Sequence, residues 1–326
     1  MSTVYVGSRL ASAARTELLA ATSRTPPAGL AEVLEHAALD TRADLKYVLP
    51  LASLPTLLAR LGRRLRVLEI NGRRAFGYRS IYFDTPELLS YRQHLQGNRR
   101  RFKVRTRTYV DSADCVLEVK TQGPRSATVK HRKPHPADKP DHLSADDYRF
   151  IAEHIHPGHL ETRLYPVFVT AYHRLTLVDL ADGVRITCDA DLTLRNAGHA
   201  VDGLRDRLLV ETKSAGSNTA LAHTFHEIGM RPVALSKYCL AVAMLGEDVR
   251  ANPWRRTLRR HFAEANLRSP ATGPAVYLTG TGQDASQRPS LLSRNGITAV
   301  GGAPGFRPAE GTAPRKFRST TEIFGK

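Results

Sequence analysis

The chain has 326 residues, 41% of them hydrophobic, and carries a formal net charge of +17, so it can build a substantial core and is predicted to meet a polyanionic partner. Its three cysteines (Cys115, Cys188 and Cys239) lie far apart, which excludes a disulfide-rich or zinc-ribbon class and favours a reducing cytoplasm. No apolar run approaches about 18 residues, so no membrane span or signal peptide is predicted.

The chain is predicted to have three parts. Residues 1–40 form an N-terminal extension with one short helix in "GLAEVLEHAALD". Residues 41–250 alternate between strand and helix patterns, form the main folded domain, and carry +10 of the net charge. Residues 251–326 form a basic tail, which beyond about residue 268 is rich in Gly, Pro, Ser and Thr and is predicted to be disordered.

The main domain is predicted to contain about eight strands with helices between some of them. The strands are, in order, "RADLKYVLPL", "YRSIYFDT", "RRRFKVRTRTYV", "CVLEVKTQ", "ATVKHRK", "YPVFVTAYHRLTLVDL", "GVRITCDADLTLR" and "DRLLVETKS". The helices are "SLPTLLARLGRRL", "PELLSYRQHLQG", "SADDYRFIAEHI" with Ser144 as its N-cap, "NTALAHTFHEIGM" and "ALSKYCLAVAML". Because adjacent strands can pair antiparallel, this order predicts an α+β fold with a closed or nearly closed barrel.

Charged residues recur at every second position of these strands. The period of two places on one face of "RRRFKVRTRTYV" the residues Arg101, Lys103, Arg105 and Arg107. The same alternation groups Glu118 with Lys120, Lys130 with Arg132, Tyr172 with Arg174, Arg185 with Asp189, and Glu211 with Lys213. A solvated outer face is one interpretation of any single strand. The whole set is strongly cationic, however, so the alternative is a polar tunnel inside a barrel that holds an anionic ligand such as a phosphate chain.

The ordered motifs resemble a known family. "RADLKYVL", "SIYFDTPELLSYRQHLQG", "RFKVRTRTY", "VLEVKTQ", "AYHRLTLV", "VRITCDADL", "LVETKS" and "LSKYCLAV" together are similar to the VTC domain, the polyphosphate polymerase domain of the triphosphate tunnel metalloenzyme superfamily, over roughly residues 40–245. The resemblance implies an eight-stranded antiparallel tunnel. It also implies that ATP binds with a divalent metal, commonly Mn²⁺ or else Mg²⁺, and that its γ-phosphoryl group passes to a growing polyphosphate chain.

The resemblance also implies roles for individual residues. The catalytic cations that match family positions are Lys46, Arg105, Arg107, Lys120, Arg174 and Arg185. Further phosphate-binding candidates are Lys103, Lys130, Arg132, Lys213, Ser236, Lys237 and His94. The metal ligand is Glu211, with Glu118 and Asp189 as additional candidates. His94 stands where many relatives have Lys or Arg, and Ala234 stands where fungal polymerases have a second lysine.

Two other functions within the same fold remain open. A CYTH-type triphosphatase would carry E-x-E-x-K on the first strand, where this chain has Arg42-x-Asp44-x-Lys46. A polyphosphate-binding sensor without turnover is the second alternative. A nucleic-acid-binding protein is disfavoured, because no stacking platform of aromatic residues and no helix-turn-helix or zinc signature is visible. The oligomeric state is left open.

Two local motifs have simple structural interpretations. In "YFDT" (82–85), Asp84 or Thr85 is predicted to cap the following helix rather than to act as a catalytic acid. The basic run "NPWRRTLRRHF" (252–262) is predicted to be a helix with arginines on one side. That side is either solvated or directed to the tunnel mouth, an acidic partner or nucleic acid.

Overall fold

The structure is a computed structural model. It describes residues 12–36, 42–62, 64–123, 128–159, 161–204, 206–215, 219–246, 249–263 and 266–268. The tail predicted to be disordered, residues 269–326, and the first 11 residues lie outside this part of the chain.

Within these residues the chain forms twelve strands and eight α-helices. The strands are β1 (Pro27–Ala28), β2 (Arg42–Pro50), β3 (Arg66–Leu68), β4 (Ala75–Asp84), β5 (Phe102–Tyr109), β6 (Asp114–Gln122), β7 (Thr128–Pro134), β8 (Tyr165–Asp179), β9 (Val184–Arg195), β10 (Ala200–Asp202), β11 (Arg207–Ala215) and β12 (Asn266–Arg268). The helices are α1 (Ala13–Ala21), α2 (Leu30–His36), α3 (Leu54–Leu61), α4 (Leu89–Leu95), α5 (Ala145–His154), α6 (Thr219–Glu227), α7 (Lys237–Leu245) and α8 (Arg255–His261). All eight predicted strands and all five predicted main-domain helices are present.

Eight long strands form one continuous antiparallel path. Ladders join them in the order β7, β6, β5, β4, β8, β9, β11 and β2. Short strands extend this sheet: β10 and β12 follow β9, β3 pairs with β8, and β1 runs parallel to β3. The fold is therefore mixed α+β with one large, mostly antiparallel sheet.

The ends of the eight-strand path are not joined by backbone pairing. A closed eight-stranded barrel, as predicted, would need a ladder between β2 and β7, and none connects them among the described residues. The segment before α7 instead contacts part of the edge of β2: the backbone N–H of Val233 donates to the carbonyl of Lys46 at 2.7 Å.

The apolar faces of the strands lie under helices, as strand alternation requires. Tyr47 of β2 stacks on Phe225 of α6 with ring centroids 4.1 Å apart, inside a core that also contains Leu18 of α1 and Leu57 of α3. A second core packs β5 and β6 against α5. A third surrounds α7, most of whose residues are buried. The opposite faces of the strands carry the charged residues, and they lie on the inner side of the sheet.

The predicted helices are present, some with capping interactions, and one further helix, α1, was not predicted. Ser144 caps α5 in a capping box with Asp147, as expected. Leu88 occupies the N-cap position of α4, but Asp84 accepts from the backbone N–H groups of Ser90 and Tyr91 at 2.8 and 3.1 Å, so Asp84 satisfies donors in the first turn from outside the helix. Thr85 Oγ1 likewise accepts from the Leu89 N–H at 3.2 Å. Helix α1 was not predicted and extends the ordered part of the N-terminal region. Among the described helices none is long and apolar enough to cross a membrane.

Candidate functional site

The concave side of the sheet holds a cavity of about 680 Å³. Residues from all eight long strands line it, together with Leu30 and Leu34 of α2 and with residues of α4 and α7. The lining contains twelve basic side chains: Lys46, Arg101, Lys103, Arg105, Arg107, Lys120, Lys130, Arg132, Arg174, Arg185, Lys213 and Lys237. Among the described lining residues only two are carboxylates, Asp44 and Glu211, so the interior carries a large positive surplus.

The predicted site residues come together in this cavity. All six predicted catalytic cations and all seven predicted phosphate-binding residues line it, as does the predicted metal ligand Glu211. The strand register explains why these residues lie in one cavity, because cross-strand partners in a ladder point to the same face of a sheet. Glu211 lies opposite Lys46 on one side and Thr187 on the other, for example.

Glu118 and Asp189 lie behind the cavity as counter-ions. Glu118 is fully buried, and its two oxygens accept from Arg105 Nε at 2.5 Å and from Arg132 Nε at 2.8 Å. Asp189 is 1% exposed and accepts from Arg174 Nε and Nη2 at 2.6 and 2.9 Å. Such paired geometry positions the guanidinium groups towards the cavity.

The charges of these carboxylates are stabilised by their partners. Burial opposes ionisation of Glu118, but the Arg105, Arg107 and Arg132 guanidinium groups outweigh it and hold its pKa well below the usual range. Lys237 Nζ also donates to Asp189, and with Arg174 it lowers the pKa of Asp189 against the effect of burial. Neither carboxylate lines the cavity, whereas Glu211 does, so both are weaker candidates for a metal than Glu211.

Three lysines stand side by side across β5, β6 and β7. The ladders place Lys103 opposite Lys120, and Lys120 opposite Lys130. Burial is the largest cause of a fall in pKa for each, and neighbouring cations add to it: the pKa is about 8 for Lys103, about 6 for Lys130, and well below the ordinary value for Lys120. A bound anion would favour the charged forms.

Arg107 and the tyrosines beside it form a second feature of the cavity wall. Arg107 donates to the hydroxyl of Tyr172 at 3.1 Å and to that of Ser80 at 3.4 Å. Arg105 likewise donates to the Tyr82 hydroxyl at 3.0 Å. Tyr172 is buried, yet the charges of Arg107, Arg174 and Lys237 outweigh burial and lower its pKa. These tyrosines were missing from the predicted site, although Tyr172 shares the strand face of Arg174 and could have been found by that alternation.

Glu211 is the cavity carboxylate best placed to hold a metal. Its Oε1 lies 2.9 Å from Lys213 Nζ. Burial would raise its pKa, but Lys213, Lys46 and Arg174 prevail and hold the pKa well below the usual range, so the group is ionised at neutral pH. The described residues contain no cluster of three or more His, Cys, Asp or Glu that could hold a metal. A divalent ion bound to Glu211 would therefore need phosphate oxygens and water for most of its coordination shell.

His94 and Ser236 have contacts that limit their predicted roles. Burial, followed by the charge of Lys103, lowers the pKa of His94 to about 3, so its ring is neutral. Its Nδ1 lies 2.8 Å from the Ser90 carbonyl oxygen and carries the proton of the neutral ring, so Nε2 could donate to a phosphate only after the ring takes up a second proton. Ser236 caps α7 by accepting from the Cys239 N–H at 3.5 Å, and Lys237 begins that helix.

The fold and the cavity together define a class: an α+β protein whose curved antiparallel sheet surrounds a strongly cationic interior. The family model for the VTC domain matches residues 41–246. The chain therefore belongs to the VTC domain family, as the ordered motifs predicted. A comparison with curated proteins found no match.

Solved structures resemble parts of the chain. HpAC1 from Hippeastrum, whose description reports a dominant triphosphatase activity, is 14% identical with a TM-score of 0.42, and the similarity covers 63% of this chain and 96% of that one. A Vibrio parahaemolyticus protein described as a candidate adenylate cyclase is 13% identical with a TM-score of 0.37, over 62% of this chain and 99% of that one.

Proposed function

We propose that this protein is a polyphosphate polymerase that transfers the γ-phosphoryl group of ATP to a growing polyphosphate chain in an eight-stranded tunnel. The observation that supports this function is the lining of the cavity, with twelve Lys and Arg side chains against two carboxylates. An interior of about 680 Å³ with that surplus is suited to a ligand with many negative charges along its length.

The chemistry of phosphoryl transfer fits such a lining. A terminal oxygen of the chain attacks the γ-phosphorus, the bond to the β,γ-bridging oxygen breaks, and ADP leaves with that electron pair. No protein nucleophile is needed, so catalysis depends on positioning and on neutralising charge. In this proposal Arg105, Arg107 and Arg174 bind the reacting phosphates, because their counter-ions or hydroxyl partners hold the guanidinium groups towards the cavity.

The remaining residues extend the binding surface. Lys46, Lys120 and Arg185 complete the triphosphate site, while further phosphates contact Lys103, Lys130, Arg132, Lys213 and Lys237. Glu211 would hold Mn²⁺ or Mg²⁺, which when bound neutralises charge on the phosphate oxygens. We further propose a cytoplasmic location, in keeping with three buried cysteines that form no disulfide.

The test is incubation of the full chain with ATP and Mn²⁺, followed by a gel for polyphosphate and an assay for free phosphate. Long chains are expected from the wild type and not from Glu211→Ala. Glu69→Ala is the matched control, because Glu69 pairs with Arg74 outside the cavity. Orthophosphate without chains would favour a CYTH-type triphosphatase. Tight polyphosphate binding with neither product would favour a sensor.

A further inference from the structure

Helix α8 lies beyond the family match, which ends at residue 246, and one of its sides is strongly basic. Trp254, Leu258 and Phe262 face the protein and pack against the core around α7. Arg255, Arg256, Arg259 and Arg260 are all exposed. We call these four residues the external arginine surface.

These four arginines contribute little to the stability of α8. Arg255 and Arg259 are four residues apart, as are Arg256 and Arg260, so each pair brings two like charges together on the helix surface. Arg255 and Arg256 also lie in the first turn, where positive charge opposes the helix dipole. Only Arg259 and Arg260, in the last turn, have a favourable position. A contribution to helix stability therefore does not explain this concentration of charge.

The start of α8 is fixed beside the cavity. Trp254 lines the cavity and directly precedes Arg255. Its ring lies 5.4 Å from that of Tyr91 in α4, and the Tyr91 hydroxyl donates to the Arg250 carbonyl at 2.7 Å. Helix α4 also carries His94, which lines the same cavity. The external arginine surface thus begins one residue after a residue of the cavity wall.

We propose that the external arginine surface binds the part of an inorganic polyphosphate chain that extends out of the cavity. Guanidinium groups stay charged at every physiological pH and bind phosphate oxygens in pairs, which suits a chain of repeating phosphates. Burial, together with the charges of Arg207 and Arg260, lowers the pKa of the adjacent His261, in keeping with a positive field there. This inference rests on the proposed function, since only a polyphosphate-binding cavity provides such a chain.

The experiment compares a ligand that fits inside the cavity with one that must leave it. Binding of tripolyphosphate and of long-chain polyphosphate is measured over a range of salt concentrations for the full-length wild type. The same titrations are made with the variant Arg255→Gln, Arg256→Gln, Arg259→Gln and Arg260→Gln. A matched control removes the same charge elsewhere by changing to Gln four exposed arginines in surface ion pairs: Arg60, Arg64, Arg73 and Arg149.

The α8 variant should bind long-chain polyphosphate about 10- to 100-fold more weakly. The slope of log binding constant against log salt concentration should become shallower by roughly 3, because each of the four lost contacts with a flexible polyanion contributes about 0.7. Its affinity for tripolyphosphate should not change, which also shows that the variant is folded. The control should bind both ligands as the wild type does.

Equal affinity of the wild type and the α8 variant for long chains would overturn the proposal while leaving the proposed function intact. An equal loss in the control variant would also overturn it, because net charge alone would then explain the effect. Loss of duplex DNA binding with unchanged polyphosphate binding would identify a nucleic-acid surface instead. Failure of the wild type to bind either phosphate ligand would refute the proposed function itself.

Discussion

Binding of tripolyphosphate should take up protons, because Lys130 lies in the cavity with a pKa of about 6. At pH 7 about nine tenths of this side chain is neutral in the free protein. A bound polyanion favours the ammonium form and returns the pKa towards its ordinary value of about 10.4. Lys130 alone should therefore take up about 0.9 proton per ligand at pH 7.

The direction of the pH dependence follows from these values. Well below pH 6, Lys130 is already charged before the ligand binds and contributes no pH dependence. As the pH rises above that value, binding must first protonate the lysine, so affinity falls by up to tenfold per pH unit. Lys103, with a pKa of about 8, adds the same trend about two pH units higher.

Isothermal titration calorimetry in two buffers of different ionisation enthalpy measures the proton uptake. In Lys130→Arg the cation is permanently charged, so uptake at pH 7 should fall by about 0.9 proton while binding is retained. Titration of the ligand itself cancels in this comparison. Lys133→Arg is the matched control on the same strand, because Lys133 is bonded to Asp146 and Asp147 on the other face of β7. Equal uptake by the wild type and Lys130→Arg would refute the reasoning.

Three further substitutions test the framework of the site by thermal or denaturant unfolding. Glu118→Gln should destabilise the fold by about 3 to 5 kcal/mol, because the buried Arg105 and the partly buried Arg132 lose their counter-ion. Glu69→Gln, at a partly exposed pair, should cost under about 1 kcal/mol; similar losses would contradict this. Tyr238→Phe should cost about 1 to 2 kcal/mol, because its hydroxyl donates to buried Asp84; no loss would show that this link is dispensable. Ser144→Ala should cost about 1 kcal/mol by removing the cap of α5, and an unchanged midpoint would argue against the capping box.

Several features were predictable because they depend on local chain geometry. The period of two in a pleated strand assigned Arg105 and Arg107 to one face before any pairing was known, and the structure places both in the cavity lining. The cap at Ser144 follows from hydrogen bonds within a few residues. Helix α1 was missed, since its short apolar face matters only where Leu18 meets the core of the sheet.

The sequence by itself determined the strands, their charged faces and, through the order of motifs, the family. Only the tertiary structure decided which groups meet: Glu118 bonds Arg105 and Arg132 rather than standing ready for a metal, and His94 is neutral. It also left β2 and β7 without a joining ladder among the described residues. The physical reason is that alternation is set within one strand. Register, burial and pKa arise instead from strands that are distant in sequence, whose charges act on one another only after the sheet has curved around them.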